Sequence, residues 1–143
     1  MGGSYQLLIR FFKGVSLRVG RLGEFFFPAG YYIYSGRAKR ALSSRIIRHL
    51  RRKKRKRWHI DYLTAHPEAE VISIVIYPDL DECRHHREIA SLPGVRVPVP
   101  RFGSGDCRSG CSAHLLYSPV FLSFYALQDS PLRDRIEKER RKL

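Results

Sequence analysis

Five residues at the expected ends of regular elements carry side chains that phosphodiester hydrolysis would need. Tyr5 opens a strand-like run, Tyr34 closes a second just before Gly36, Arg45 and His49 stand one helical turn apart, and Glu82 opens a later helix. The chemistry needs a group to take a proton from attacking water, a cation on the non-bridging oxygens and a carboxylate for a divalent ion. A neutral tyrosine is a poor base, with a pKa near ~10. Neighbouring cations such as Arg37 and Arg45 favour the phenolate and make that role more accessible. Each residue also has a plainer reading: an aromatic residue in a sheet is most often core, and Arg45 could simply bind phosphate.

A second constellation is Cys107-x3-Cys111-x2-His114, which offers three zinc ligands, with Cys83 or His59 as the fourth. Three cysteines are an odd number and too few for a disulfide scaffold, so the alternative is inert thiols in a reducing compartment. His59 and Asp61 either line the active site or form a satisfied polar pair under the basic helix. His85 and His86 are expected to cover the exposed side of the Glu82 helix.

These residues must be placed by a chain of 143 residues with a net charge of +14 and 43% hydrophobic content. That length fits one domain with its own core, and the hydrophobic content argues against a disordered basic tail. No apolar run approaches the ~20 residues that span a bilayer. The opening Met1-Gly2-Gly3-Ser4-Tyr5 lacks the pattern of a secretory leader, so the expected location is cytoplasmic.

Twelve of the 27 Lys and Arg residues lie between Arg37 and Arg57, and no acidic residue intervenes between Glu24 and Asp61. The densest stretch is Arg51-Arg52-Lys53-Lys54-Arg55-Lys56-Arg57. Packed cations without counter-charge either stay solvated or meet a polyanion. Arg37, Arg48, Arg52, Lys53, Lys54, Arg55, Lys56 and Arg57 are therefore candidate contacts to a nucleic-acid backbone. A membrane surface fits less well, because bulky apolar residues are not interleaved with the cations.

The pattern predicts strands over Tyr5–Phe12, Gly30–Gly36 and Glu70–Tyr77, with a short extended segment over Val15–Val19. Leu42, Ile46 and Leu50 recur at helical spacing and predict a helix over Leu42–Arg52. A short helix is expected at Trp58–Leu63, another from an Asp79 or Asp81 cap to about Ala90, and a last strand at His114–Tyr117. Pro93–Gly110 reads as loop and Leu132–Leu143 as a charged helix. The expected class is a small α/β domain in the order β–β–α–β–α, spanning residues 1–117, with a partly helical extension over 118–143.

Taken in order, these motifs resemble the GIY-YIG nuclease superfamily. Gly3-Ser4-Tyr5 stands at its Gly-Ile-Tyr position and Tyr34-Ser35-Gly36 at its Tyr-Ile-Gly position, with Arg37-Ala38 following. Arg45, His49 and Glu82 match its helical arginine, the histidine some members carry and its metal-binding glutamate. The chain is more similar still to a compact archaeal and bacterial branch labelled as a domain of unknown function (DUF123-like), which also occurs fused to endonuclease-III-type glycosylases. That likeness rests on Arg48-His49, Trp58-His59-Ile60-Asp61-Tyr62, Glu82-Cys83, Phe102-Gly103-Ser104-Gly105-Asp106-Cys107 and His114-Leu115.

The resemblance implies a three-stranded mixed sheet flanked by helices and a metal-dependent endonuclease acting on nucleic acid, DNA first, in repair. Tyr5 would be the base or water-orienting group, Tyr34 would bond the reacting phosphate or nucleophile, and Arg45 would stabilise the transition-state charge. His49 would support them or accept a proton, and Glu82 would hold one Mg²⁺ or Mn²⁺. A repair protein is an implied partner; oligomeric state is left open. Ser4 and Ser35 replace the usual isoleucines, and the Asn that many members use has no counterpart, because the chain contains none. The alternative is a non-catalytic basic nucleic-acid-binding module with a vestigial site.

Overall fold

The computed structural model describes residues 1–104, 107 and 110–122. Its strands are β1 (Gly3–Phe11), β2 (Val15–Val19), β3 (Gly23–Phe27), β4 (Gly30–Ala38), β5 (Ala69–Tyr77) and β6 (Leu115–Ser118). Among the described residues, a 3-10 turn (Gly20–Leu22) and three α-helices complete it: α1 (Leu42–Leu50), α2 (His59–Thr64) and α3 (Glu82–Ala90). Four strands form one sheet in the order β5-β1-β4-β6, while β2 and β3 make a separate hairpin.

Every pairing is antiparallel. The expected three-stranded mixed sheet is therefore corrected to a four-stranded antiparallel one. The fourth strand arises because Leu115–Ser118 pairs beside Tyr31–Tyr34 of β4. The fold class, a mixed α/β domain, stands.

β1 lies at the centre and is buried on both faces, as its nearly continuous apolar run requires. On one face, Tyr5, Leu7, Ile9 and Phe11 pack with Ile46 of α1, Ile60 and Leu63 of α2, and Phe27 of the hairpin. On the other, Leu8 packs with Ile33, Val75, Leu116 and Ile89 of α3. Gln6 sits among these residues fully buried and fully engaged. Its amide donates to Ser35 Oγ and the His85 carbonyl, both at 3.1 Å, and its oxygen accepts from the Tyr77 hydroxyl at 2.8 Å. That network fixes α3 against the sheet.

α1 stops at Leu50, two residues before the expected end, because Arg51 is already extended and the cationic run follows outside the helix. Its buried positions are Ile46 and His49, whereas Ile47 and Leu50 are exposed. A histidine thus occupies the place that the apolar stripe assigned to leucine. Asp81 caps α3 by accepting from the Arg84 N–H. His85 and His86 are both buried, not surface covering as expected. His85 stacks on Tyr77 with ring centroids 3.5 Å apart and meets Asp79 at 3.0 Å. Among the described residues no helix is long and apolar enough to cross a membrane. The helix expected over Leu132–Leu143 lies outside the described residues.

Candidate functional site

The sheet register builds the site at one end of the domain. Tyr5 of β1 pairs with Gly36 of β4 and with Ile76 of β5, so the start of one strand meets the ends of the other two. The chain leaves β4 into α1, which carries Arg45 and His49, and leaves β5 towards α3, which opens with Glu82. Gly36 is required here: a Cβ at that position would lie 2.6 Å from the Tyr5 hydroxyl.

Tyr5 Oη and His49 Nε2 share a buried hydrogen bond of 2.8 Å. The Tyr34 ring lies 6.4 Å from that of Tyr5 and 6.1 Å from that of His49, closing a triangle of aromatic rings. Burial pushes the Tyr5 phenol up to about 12, although the nearby Arg45 guanidinium pulls it down. Burial likewise raises Tyr34, which also feels Tyr5 and Asp61. For His49, burial, reinforced by Lys54, lowers the pKa to about 4, so the ring is neutral near pH 7. Among the described residues its buried Nδ1 has no hydrogen-bond partner.

Arg45 donates from Nη1 to the Arg37 carbonyl at 3.1 Å, and its guanidinium lies 4.6 Å over the Trp58 ring. Arg48 stands 4.4 Å over the same ring, and Arg57 5.6 Å from it. Trp58 is thus a platform for three guanidiniums, and its role was not evident from its position in the sequence. These residues, with Arg40, Ala41 and Ser44, line an open cleft of about 270 Å³. A larger cleft of about 560 Å³ is lined by Arg48, Arg51 and Lys53 to Arg57.

The cations are not equivalent. Arg48 is committed to Asp61 by two 2.8 Å bonds, and Asp61 also accepts from the Arg57 and Trp58 N–H groups. Burial works against the Asp61 carboxylate, but these donors outweigh it and hold its pKa below the ordinary value. Asp61 is fully buried, so it is a structural anchor for the basic loop, and it caps α2 through Trp58. Lys54 folds back to the Arg48 and His49 carbonyls and to Thr64, and burial lowers its pKa to about 8. Arg52 donates to the carbonyls of His66 and Pro67. Lys53, Arg55, Lys56 and Arg57 remain exposed.

Glu82 is largely shielded, with 13% of its side chain exposed, and its carboxylate lies 3.7 Å from Arg37 Nε. Its charge reaches Tyr5 and Tyr34, opposing ionisation of both. The pair with Arg37 is longer than a hydrogen bond, which leaves carboxylate oxygen for another ligand.

A separate cluster forms where α3 meets the loop before β6. The donor atoms of Cys83, Cys107, Cys111 and His114 all lie within 4.8 Å of one another, and this Cys3His set can hold a metal ion. Cys83 Sγ is 3.5 Å from Cys107 Sγ and 3.5 Å from His114 Nε2. Of the two candidates for fourth ligand, Cys83 joins the cluster. His59 instead accepts from the Gly103 N–H at 2.9 Å and packs on Phe102.

A buried tyrosine–histidine pair, a nearby arginine and carboxylate, and a cationic rim thus lie together at one end of a small antiparallel α/β domain. Residues 4–133 match the family described as Domain of unknown function DUF123, and the chain belongs to that family. No curated protein and no solved structure matches it.

Proposed function

We propose that this protein is a divalent-metal-dependent endonuclease that hydrolyses nucleic-acid phosphodiesters, DNA in particular, through a GIY-YIG-type site. The observation that carries the reading is the meeting of Tyr5, Tyr34, Arg45 and His49 at one end of the sheet, beside clefts lined by cations. Each of those residues does a distinct job. Tyr5 is protonated at neutral pH, so it acts by orienting the attacking water. As the water gives its proton to the phenol oxygen, the phenol passes its own to neutral His49. Arg45 neutralises charge developing on the non-bridging oxygens, and Tyr34 hydrogen-bonds the reacting phosphate.

Glu82 would hold Mg²⁺ or Mn²⁺, which supplies Lewis-acid charge neutralisation when bound. Flanking phosphates run over Lys53, Arg55, Lys56 and Arg57, the exposed cations of this stretch. The Cys3His cluster is assigned to zinc, the ion its thiolate and imidazole donors suit. A place in DNA repair, with a repair-protein partner, belongs to the same reading.

The test is a panel of nicked, branched, abasic and single-stranded DNA incubated in Mg²⁺ or Mn²⁺. Wild-type protein is expected to cut at least one substrate, and Tyr5→Phe to bind it equally while losing most of the rate. If nothing in the panel is cut while binding persists and weakens with salt, the chain is a binding module and the catalytic reading fails.

A further inference from the structure

The metal cluster and the phosphodiester site are tied together by the shortest covalent link available. Cys83, a cluster donor, directly follows Glu82 in the first turn of α3. The other three donors lie between Phe102 and β6, and Gly103 and His114 of that segment approach Tyr34 and Ser35 of β4. Gly103 donates its N–H to His59, and its Cα approaches Tyr34 so closely that a Cβ there would lie 3.0 Å from the ring. His114 accepts from the Ser35 N–H at 3.0 Å, next to Tyr34 in β4.

Two of the donor separations also have the length of a tetrahedral edge, and all four donors lie within 4.8 Å of one another. A tetrahedron with Zn–S near ~2.3 Å and Zn–N near ~2.0 Å separates its donor atoms by roughly 3.5–3.8 Å. The two 3.5 Å separations made by Cys83 match that edge. Four protein donors leave no open coordination position, which is the pattern of a structural rather than a catalytic zinc.

We propose that zinc on Cys83, Cys107, Cys111 and His114 is the positioning element of the phosphodiester site. It fixes the first turn of α3, and with it the Glu82 carboxylate, against the loop that backs Tyr34. This inference rests on the endonuclease reading for its effect on catalysis, but not for the zinc or for the coupling of the two segments. Zinc loss then disorders two separated stretches together and weakens the divalent-ion site without touching the basic clefts. Glu82 responds through its position, not through a change in its own chemistry.

Three readouts test it on the full chain. Purified protein should carry about one zinc per chain, and cobalt exchanged into the site should give the intense visible bands of a tetrahedral thiolate centre. Removing zinc with a zinc-selective chelator should raise amide exchange in 82–90 and 101–117 while leaving β1 and β5 protected, with reversal on zinc addition. It should also raise the Mg²⁺ concentration for half-maximal cleavage by about 10–100-fold, the range usual for lost supporting contacts at metal sites, with DNA affinity unchanged. Cys107→Ser should reproduce these effects; should it fail to fold, chelation of wild type carries the test alone.

Absence of zinc and of the cobalt bands overturns the proposal, as does zinc removal that leaves exchange in 82–90 at the wild-type level. Unchanged Mg²⁺ dependence in cleaving protein also overturns it. Coupled exchange in a protein that cuts no DNA instead upholds the zinc coupling and sinks the endonuclease reading.

Discussion

Asp61→Ala should be among the most damaging single substitutions in this domain. Asp61 has no exposed surface and receives four hydrogen bonds: two from Arg48 at 2.8 Å, and one each from the N–H groups of Arg57 at 2.7 Å and Trp58 at 2.9 Å. Alanine leaves the Arg48 guanidinium, only 24% exposed, without its counter-charge and two backbone donors without acceptors. Breaking such a pair from one side costs about 3–5 kcal/mol. Each kcal/mol lowers Tm by roughly 3–5 °C in a domain of this size, so a fall of about 10–20 °C is expected. Thermal unfolding by circular dichroism at pH 7 measures it.

The pH dependence gives a second handle. The Asp61 pKa is depressed in the folded state, so its stabilisation is present above the unfolded carboxylate value and is lost as pH falls through the lower folded value. Wild type should therefore lose more stability than Asp61→Ala as pH falls below about 4. A Tm change of less than about 3 °C, or parallel pH profiles for the two proteins, would refute the view of Asp61 as the buried anchor of the basic loop.

Other outcomes follow from the same contacts. Tyr5→Phe removes the 2.8 Å bond to His49 and should cut cleavage by about 10²–10⁴-fold in single-turnover assays, while costing only about 1–3 kcal/mol in chemical unfolding. Gly36→Ala places a methyl 2.6 Å from the Tyr5 hydroxyl; it should destabilise by about 1–3 kcal/mol and disable cleavage, whereas Gly94→Ala, where a Cβ meets nothing, should keep activity. Replacing Lys53, Arg55 and Lys56 by glutamine should lower the slope of log affinity against log salt by about 0.9 per lost phosphate contact in a DNA-binding titration. His49, held near 4 against an ordinary 6.5, disfavours protonation of the folded state. Its contribution to stability is complete above about 6.5 and declines towards 4. The acidic limb of the cleavage profile should accordingly fall near pH 4, and a limb near 6.5 would count against neutral His49 as the proton acceptor.

Legibility in the sequence followed the range of the interactions. β5 was readable because Val71, Ile72, Ile74, Val75 and Ile76 form an apolar β-branched run bounded by Pro78. The sheet order was not, because the pairing of β6 with β4 joins segments some 80 residues apart and leaves no local mark. His85 and His86 read as surface among Arg84, Arg87 and Glu88, yet both turn inward, where Tyr77 and Asp79 receive one and His114 the other. The choice of Cys83 over His59 as fourth cluster donor depended likewise on how α3 lies over the loop. The charge run was plain in sequence, but its division was not. Lys54 and Arg52 donate to carbonyls at the end of α1 and in the turn after α2, while Lys53, Arg55 and Lys56 face solvent. Gln6 was not singled out in sequence, although an amide in a largely apolar central strand is the mark of a buried polar network.

The most direct test compares wild type with Glu82→Ala on one end-labelled substrate from the DNA panel, in Mg²⁺, with binding followed in parallel by fluorescence anisotropy. The account predicts product from wild type, none above background from the variant, and equal affinities for both. Cleavage by Glu82→Ala at the wild-type rate, or no product from wild type on any substrate with either ion, would contradict it.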